Sequence, residues 1–341
     1  MIKCNIINIQ LGERGYTMDR VSLTNTDLQV SQLCLGTADF GTKKSREEAF
    51  RQMDIFLDGG GNFIDTAHVY GDWACDERGR SEKVIGEWLK GKRDQVILSS
   101  KGCHPPIDNM LCSRVDPGNL HKDVEESLSQ LQTDYVDLYF LHRDNPQVPA
   151  GELLEALEEE VRRGRLRYYG CSNWSLDRLK EADAYAREHG LHGFACNQMM
   201  FVLADVVPET LVEPQLTILD DAYYQYEKQT GLSFMAYMCL AGGYFSKRMA
   251  GKPVSPQQKE RYHGEANEAI LRQLKLCVSE GYKVTDFLYS YVKRAAFPSI
   301  PISGFGNEEQ LKQALVSIEQ EVPDEMMHDL VSLKRMQSYH W

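Results

Sequence analysis

The chain has 341 residues, 42% apolar and 26% charged, with a formal net charge of −12. That balance suits a folded, enzyme-sized protein, either one large α/β barrel or two ordinary domains, and excludes a disordered chain. The acidic balance argues against nucleic acid or an anionic membrane surface as the main partner, and no apolar run approaches the length of about 18 residues that a membrane span needs.

Residues 1–17 lack the ordered basic, apolar and small-residue regions of a signal peptide. They are expected to be a loosely held N-terminal extension, with Met18 a candidate alternative start and residues 18–341 a single barrel domain. The nine cysteines are odd in number, evenly spread and without a C-x-x-C pair. They read as reduced thiols, which places the protein in the cytoplasm.

From about residue 32, short apolar runs alternate with longer amphipathic ones. The predicted strands are 32–36, 62–66, 96–101, 136–142, 167–173, 194–199, 233–238 and 299–303. The predicted helices are 46–60, 81–90, 116–131, 151–164, 175–190, 219–231, 265–281, 285–296 and 308–320. Strand and helix repeated eight times signals a parallel sheet with helical crossovers. Its extent suits a closed (β/α)8 TIM barrel. A doubly wound sheet would carry G-x-G-x-x-G after a strand, and neither DGGGN (58–62) nor GFG (304–306) has that form. Long connections at 71–80, 203–218 and 239–264 all follow strands, which puts extended loops at the C-terminal face.

The stretch FIDTAHVYG (63–71) delivers Asp65 and Tyr70 to a strand end. Lys101 ends the next strand and His142 the one after. Four polar groups at one end of three successive strands converge on one mouth. A free phenol, with a pKa near 10, exchanges protons poorly at neutral pH, and a nearby ammonium lowers that value. Lys101 is placed to act so on Tyr70, with Asp65 keeping it charged and His142 orienting a substrate oxygen.

The motifs GTADFG (36–41), FIDTAHVYG (63–71), SSKG (99–102), LYFLHRD (138–144), YGCSNW (169–174), NQ (197–198), AYMCLAGG (236–243) and IPISG (300–304) resemble, in order and spacing, the aldo-keto reductase family. The likeness covers about residues 20–320. It implies a (β/α)8 barrel holding an extended NAD(P)H across its strand ends, and hydride transfer to or from a small-molecule carbonyl substrate. It makes Tyr70 the general acid and base and completes a tetrad with Asp65, Lys101 and His142. For the cofactor it implies Ser172, Asn173 and Gln198 at the carboxamide and Tyr237 stacked on the nicotinamide. It places Gly36 and Thr37 near the ribose and phosphates, and Leu240 and Gly242 along the pyrophosphate. Lys247, Ser303, Asn307, Gln310 and Gln313 are expected toward the phosphates and adenosine.

Two departures bear on this. Met238-Cys239 follows the stacking tyrosine where Ser-Pro is frequent, and Gly306-Asn307 stands where a basic residue often meets the adenosine 2′-phosphate. Lys247-Arg248 offers charge instead, and NADP(H) is expected ahead of NAD(H). The long loop after Tyr70 carries Trp73, and His104 and Arg143 follow the lysine and histidine. A tryptophan platform beside polar groups suits a sugar or sugar-like aldehyde or ketone. Cys103 and His104 have no further ligands at metal spacing, so no metal site is expected. The alternatives are a cofactor-sensing regulatory protein of the same fold with weak turnover, and a Schiff-base aldolase using Lys101. Oligomeric state is not legible in the sequence.

Overall fold

The computed structural model describes residues 18–74, 77–211 and 216–334; the expected extension at 1–17 lies outside them. A short antiparallel hairpin comes first, β1 (Arg20–Ser22) with β2 (Gln29–Ser31). Eight strands follow: β3 (Cys34–Gly36), β4 (Phe63–Asp65), β5 (Ile97–Gly102), β6 (Val136–Leu141), β7 (Leu166–Ser172), β8 (Cys196–Met200), β9 (Ser233–Tyr237) and β10 (Ser299–Ser303). They pair in parallel in sequence order, and β10 closes on β3, giving the expected (β/α)8 barrel.

Helices α1 (Arg46–Asp58), α2 (Arg80–Trp88), α3 (Pro117–Leu131), α4 (Ala150–Arg162), α5 (Leu176–His189) and α6 (Asp221–Thr230) connect β3 to β9 in turn. Their starts follow from local chemistry. Ser45 and Glu48 form a capping box on α1, and Asp116 caps α3, where Pro117 occupies the first turn. Between β9 and β10 the chain forms α7 (Tyr244–Met249), α8 (Pro256–Tyr262), α9 (Glu265–Ser279) and α10 (Val284–Lys293). After β10 come α11 (Glu308–Glu319) and α12 (Asp324–Ser332). The sequence reading missed β1, β2, α7, α8 and α12. All are short, and their order rests on tertiary packing more than on periodicity.

Side chains alternate faces along a strand, so every second residue points into the barrel. Cys34, Phe63, Leu138, Phe140, Cys196, Met235, Ile300 and Ile302 form the buried interior together with Leu23, Leu28 and Val30 from the hairpin region. The hairpin closes the N-terminal end. Thr24 N donates to Ser233 Oγ at 2.7 Å, and Ser31 N donates to Asn62 Oδ1 at 2.7 Å. Gly170 faces inward, where a Cβ would lie 2.3 Å from Cys196 O and 2.5 Å from Phe140 Cε1. Glycine there makes room for the Phe140 ring.

Candidate active site

The same alternation decides which polar groups reach the mouth. Two residues beyond the interior Phe63 is Asp65, and two beyond Phe140 is His142. Two beyond Cys196 is Gln198, and two beyond Met235 is Tyr237. Apolar interior layers therefore give way to a polar layer at the C-terminal ends of the strands, where barrel enzymes hold their chemistry.

Lys101 and Asp65 form a buried ion pair there. Lys101 Nζ lies 2.6 Å from Asp65 Oδ2, donates to Thr66 O at 2.6 Å, and reaches Tyr70 Oη at 3.4 Å. The two charged side chains are 1% and 2% exposed. Asp65 Oδ1 accepts from Ser99 Oγ at 2.8 Å and from Gln198 Nε2 at 3.1 Å. Both carboxylate oxygens are thus hydrogen-bonded, which makes burial of the pair tolerable. Burial works against the Lys101 charge, but Asp65 and then Tyr70 outweigh it and hold its pKa above the ordinary lysine value. A neutral amine, which Schiff-base chemistry needs, is disfavoured by this environment.

Tyr70 is set by a turn rather than a strand. Its N–H donates to Ala67 O at 2.9 Å, and Ser81 N donates back to Tyr70 O at 3.2 Å. Gly71 follows at φ +100°, and a Cβ there would sit 3.0 Å from Arg80 Cβ. Lys101 acts on Tyr70 in the expected direction, but the expected net lowering of the phenol pKa needs correction. Burial pushes the phenol above its usual value; Lys101 opposes this without reversing it, and Asp65 adds to the rise. The sequence reading counted the ammonium and left out the desolvation.

His142 lies edge-on to Tyr70, with ring centroids 6.1 Å apart, and edge-on to His104 at 4.7 Å. Burial first, then His104, Arg143 and Lys101, hold its pKa well below the usual histidine value. Its Nδ1 is buried with no hydrogen-bond partner among the described residues. His104 Nδ1 lies 2.7 Å from Pro105 O, and Arg143 Nη1 donates to His142 O at 2.7 Å. Trp73 packs edge-on to Tyr70 at 5.9 Å and is 44% exposed.

A cavity of about 310 Å³ opens over these groups. Gly36, Thr37, Asp65, Tyr70, His142, Arg143, Ser172, Asn173, Gln198 and Tyr237 all line it, so the structure brings the sequence-predicted groups from six strand ends together. Asn173, at φ +61°, turns its amide so that Oδ1 accepts from Tyr237 Oη at 2.6 Å and Nδ2 donates to Ser172 Oγ at 2.9 Å. Gln198 Nε2 is spent on Asp65, so this atom braces the ion pair in addition to facing the cavity.

The residues expected at the far end of the cofactor lie outside this cavity and bond locally. Lys247 Nζ donates to Gln258 Oε1 at 3.0 Å and to Gly242 O at 3.3 Å. Gly242 stands at φ +60° in the turn after Leu240. Arg248 is clamped on Glu268 Oε1 and Oε2 at 2.8 and 3.1 Å, so it offers no open charge of the kind its sequence position suggested. Asn307 caps α11 by accepting from Gln310 N, Gln310 Oε1 accepts from Gly306 N at 2.8 Å, and Gln313 donates to Glu309. Ser303 Oγ is buried under the loop and accepts from Tyr289 Oη at 3.2 Å. Sequence reasoning did not single out the cavity-lining Lys44 and Phe305. They come from loops after β3 and β10, where no periodic signal exists.

His68, Asp123 and Glu126 offer ligand atoms within 4.8 Å of one another beside the mouth. Arg114 engages both oxygens of Asp123, which leaves that carboxylate poorly placed for a cation. Among the described residues no helix is long and apolar enough to cross a membrane.

The molecule is thus a closed parallel barrel with a buried lysine–carboxylate pair behind a tyrosine at its C-terminal mouth. The sequence model of the Aldo/keto reductase family matches residues 32–335, and the chain belongs to that family. It is 30% identical over 326 residues to the uncharacterized oxidoreductase YrpG of Bacillus subtilis (strain 168), covering 92% of this chain and 95% of that one. It is 26% identical to the protein tas of Escherichia coli (strain K12), covering 93% and 98%. Its fold matches that of an aldo-keto reductase from Bacillus halodurans in its holo form, with a TM-score of 0.73 at 24% identity, covering 94% and 98%. The protein is therefore an oxidoreductase of the NAD(P)H type.

Proposed function

We propose that Tyr70 gives the proton when a carbonyl is reduced and takes it when the alcohol is oxidised. The observation that carries this reading is the buried Lys101 ammonium, 2.6 Å from Asp65 and 3.4 Å from Tyr70 Oη, two residues that line the cavity. When bound, the nicotinamide dinucleotide supplies or accepts the hydride. The raised pKa keeps the phenol protonated and ready to act as an acid at neutral pH. Once the proton has left, Lys101 stabilises the phenolate in a site screened from water, where one ammonium counts for more than in solution. Asp65 and Gln198 keep Lys101 in place. His142 stays neutral and donates its ring N–H to the substrate oxygen, which orients the carbonyl toward Tyr70 Oη.

The cavity fits the nicotinamide end of the cofactor. Gly36 and Gly304 line it without side chains, and a Cβ on Gly304 would lie 3.3 Å from Gly36 O. Ser172 and Asn173 hold the carboxamide and Tyr237 stacks on the ring. Thr37 and Ser303 flank the ribose and phosphates, and Leu240 and Gly242 line the pyrophosphate. Lys247, Asn307, Gln310 and Gln313 lie toward the adenosine. The Lys247 ammonium is the charge in that region that favours NADP(H) over NAD(H). Trp73, with His104 and Arg143, forms the substrate side and suits a sugar or sugar-like aldehyde or ketone, whose apolar face stacks on indole. The buried free cysteines support a cytoplasmic setting.

The test is a spectrophotometric screen of NADPH and NADH oxidation against aldoses, ketoses, steroid ketones and simple aldehydes. Turnover with sugars is expected, and Tyr70→Phe is expected to abolish it while dinucleotide binding persists. Full turnover by Tyr70→Phe would refute the assignment.

A further inference from the structure

Lys44 is the last residue before the Ser45 cap of α1, on the loop that leaves β3. That position fixes its backbone, because the capping box holds Ser45 and because Lys44 N donates to Asp39 O at 3.1 Å. Its side chain turns inward instead of into solvent. The residue is 7% exposed and lines the same cavity as Tyr70 and Tyr237. The neighbouring Lys43, by contrast, is 78% exposed and pairs with Asp39.

A buried ammonium normally has a carboxylate beside it. Lys44 has none within salt-bridge distance among the described residues, and its one hydrogen-bond acceptor there is the neutral carbonyl of Gly306, at 3.0 Å. An ammonium carries three donors, so two remain for other acceptors. Burial pushes its pKa below the ordinary lysine value, and Asp39 and Glu48 only partly offset this. The charge is therefore placed where an arriving anion would stabilise it most. The Gly306 contact also ties the loop after β3 to the loop after β10, so the cation stands where two cavity-lining loops meet.

We infer that Lys44 is an anion-binding residue of the cofactor cleft, meeting a phosphate oxygen of the nicotinamide dinucleotide. This rests on the proposed cofactor reading and deepens it. It also accounts for a chain in which Arg248 is clamped on Glu268 and Gly306-Asn307 carries no charge. The cation comes instead from the loop after β3, beside Gly306.

The test is calorimetric titration of wild type, Lys44→Gln, Lys44→Met and Lys44→Arg with NADPH and with NADH. Lys44→Gln keeps a donor for Gly306 and removes the charge. Lys44→Met removes both, and running the two in parallel means that a folding defect in one does not decide the outcome. Both neutral variants are expected to raise Kd by about ten- to a hundredfold, with Lys44→Arg recovering most of the loss. A loss with both nucleotides assigns the pyrophosphate, and a loss with NADPH alone assigns the 2′-phosphate. Unchanged Kd values in the neutral variants would overturn the inference and leave the proposed function standing. Wild type binding neither nucleotide would overturn the cofactor reading and this inference with it.

Discussion

Gln198 on β8 donates through its side-chain amide to Asp65 on β4 at 3.1 Å, across the width of the barrel. The carboxylate that holds Lys101 is thus itself held from the opposite wall. Ser99, on the neighbouring strand β5, closes the same oxygen at 2.8 Å. A charge pair with so many fixed contacts has little freedom to follow the substrate, so the tyrosine meets a fixed field.

Lys101→Met should abolish turnover and also destabilise the fold, because it leaves Asp65 charged and uncompensated in the interior. A loss of about 3–5 kcal/mol in urea unfolding is expected. Adding Asp65→Asn should recover most of the stability and none of the activity. Stability unchanged by Lys101→Met would show the pair to be unimportant to the fold.

Gln198→Leu keeps the bulk and removes the brace on Asp65. Unfolding should cost about 1–2 kcal/mol, and kcat should fall while KM for the carbonyl substrate changes little. A KM effect with kcat preserved would place Gln198 in substrate binding instead.

His142 has a folded-state pKa well below its ordinary value. Below about pH 6.5 the unfolded chain binds a proton that the native ring refuses. Stability should therefore fall as pH drops below that point, with a slope of at most about 1.4 kcal/mol per pH unit from this group. His142→Asn should flatten that part of the profile, as measured by urea midpoints from pH 7 downward. An unaltered profile would mean that other groups govern acid unfolding.

Glu227 shows the opposite sign. It is fully buried on α6, takes a hydrogen bond from Asn197 at 2.8 Å, and has its pKa pushed up to about 8, chiefly by burial. The native carboxyl keeps its proton where the unfolded one has lost it. Its contribution is thus complete below about pH 4.5 and declines as pH rises through about 8. Glu227→Gln should be more stable than wild type at pH 8 and closer to it at pH 5. Melting temperatures at the two pH values would check this.

Trp73→Ala should raise KM for sugars by about tenfold and leave simple aldehydes nearly unaffected, since the indole packs against Tyr70 without bonding to it. Equal kinetics across both classes would remove Trp73 from the substrate side.

Much of the site was legible because barrel strands impose order on the sequence. Asp65, Lys101 and His142 each end a run of alternating or apolar residues, and consecutive parallel strands put such ends side by side. Tyr70 was legible only through its motif, since a turn between Ala67 and Ser81 carries it. The partnerships were harder to read. Gln198 is expected at the carboxamide and lines the cavity, but nothing local shows that its amide also bonds an acid 133 residues away in sequence. Lys44 was passed over because nothing local distinguishes it from the exposed Lys43 beside it.

The sequence by itself determined the barrel, the family and the residues of the polar layer, because period-2 strands and capped helices are properties of short stretches. Tertiary structure alone decided the sign of the Tyr70 shift, the bracing of Asp65 and the burial of Lys44. Each depends on how much water is excluded and on which distant groups fill the space. Desolvation is set by the closed barrel as a whole and has no counterpart in any one stretch of chain.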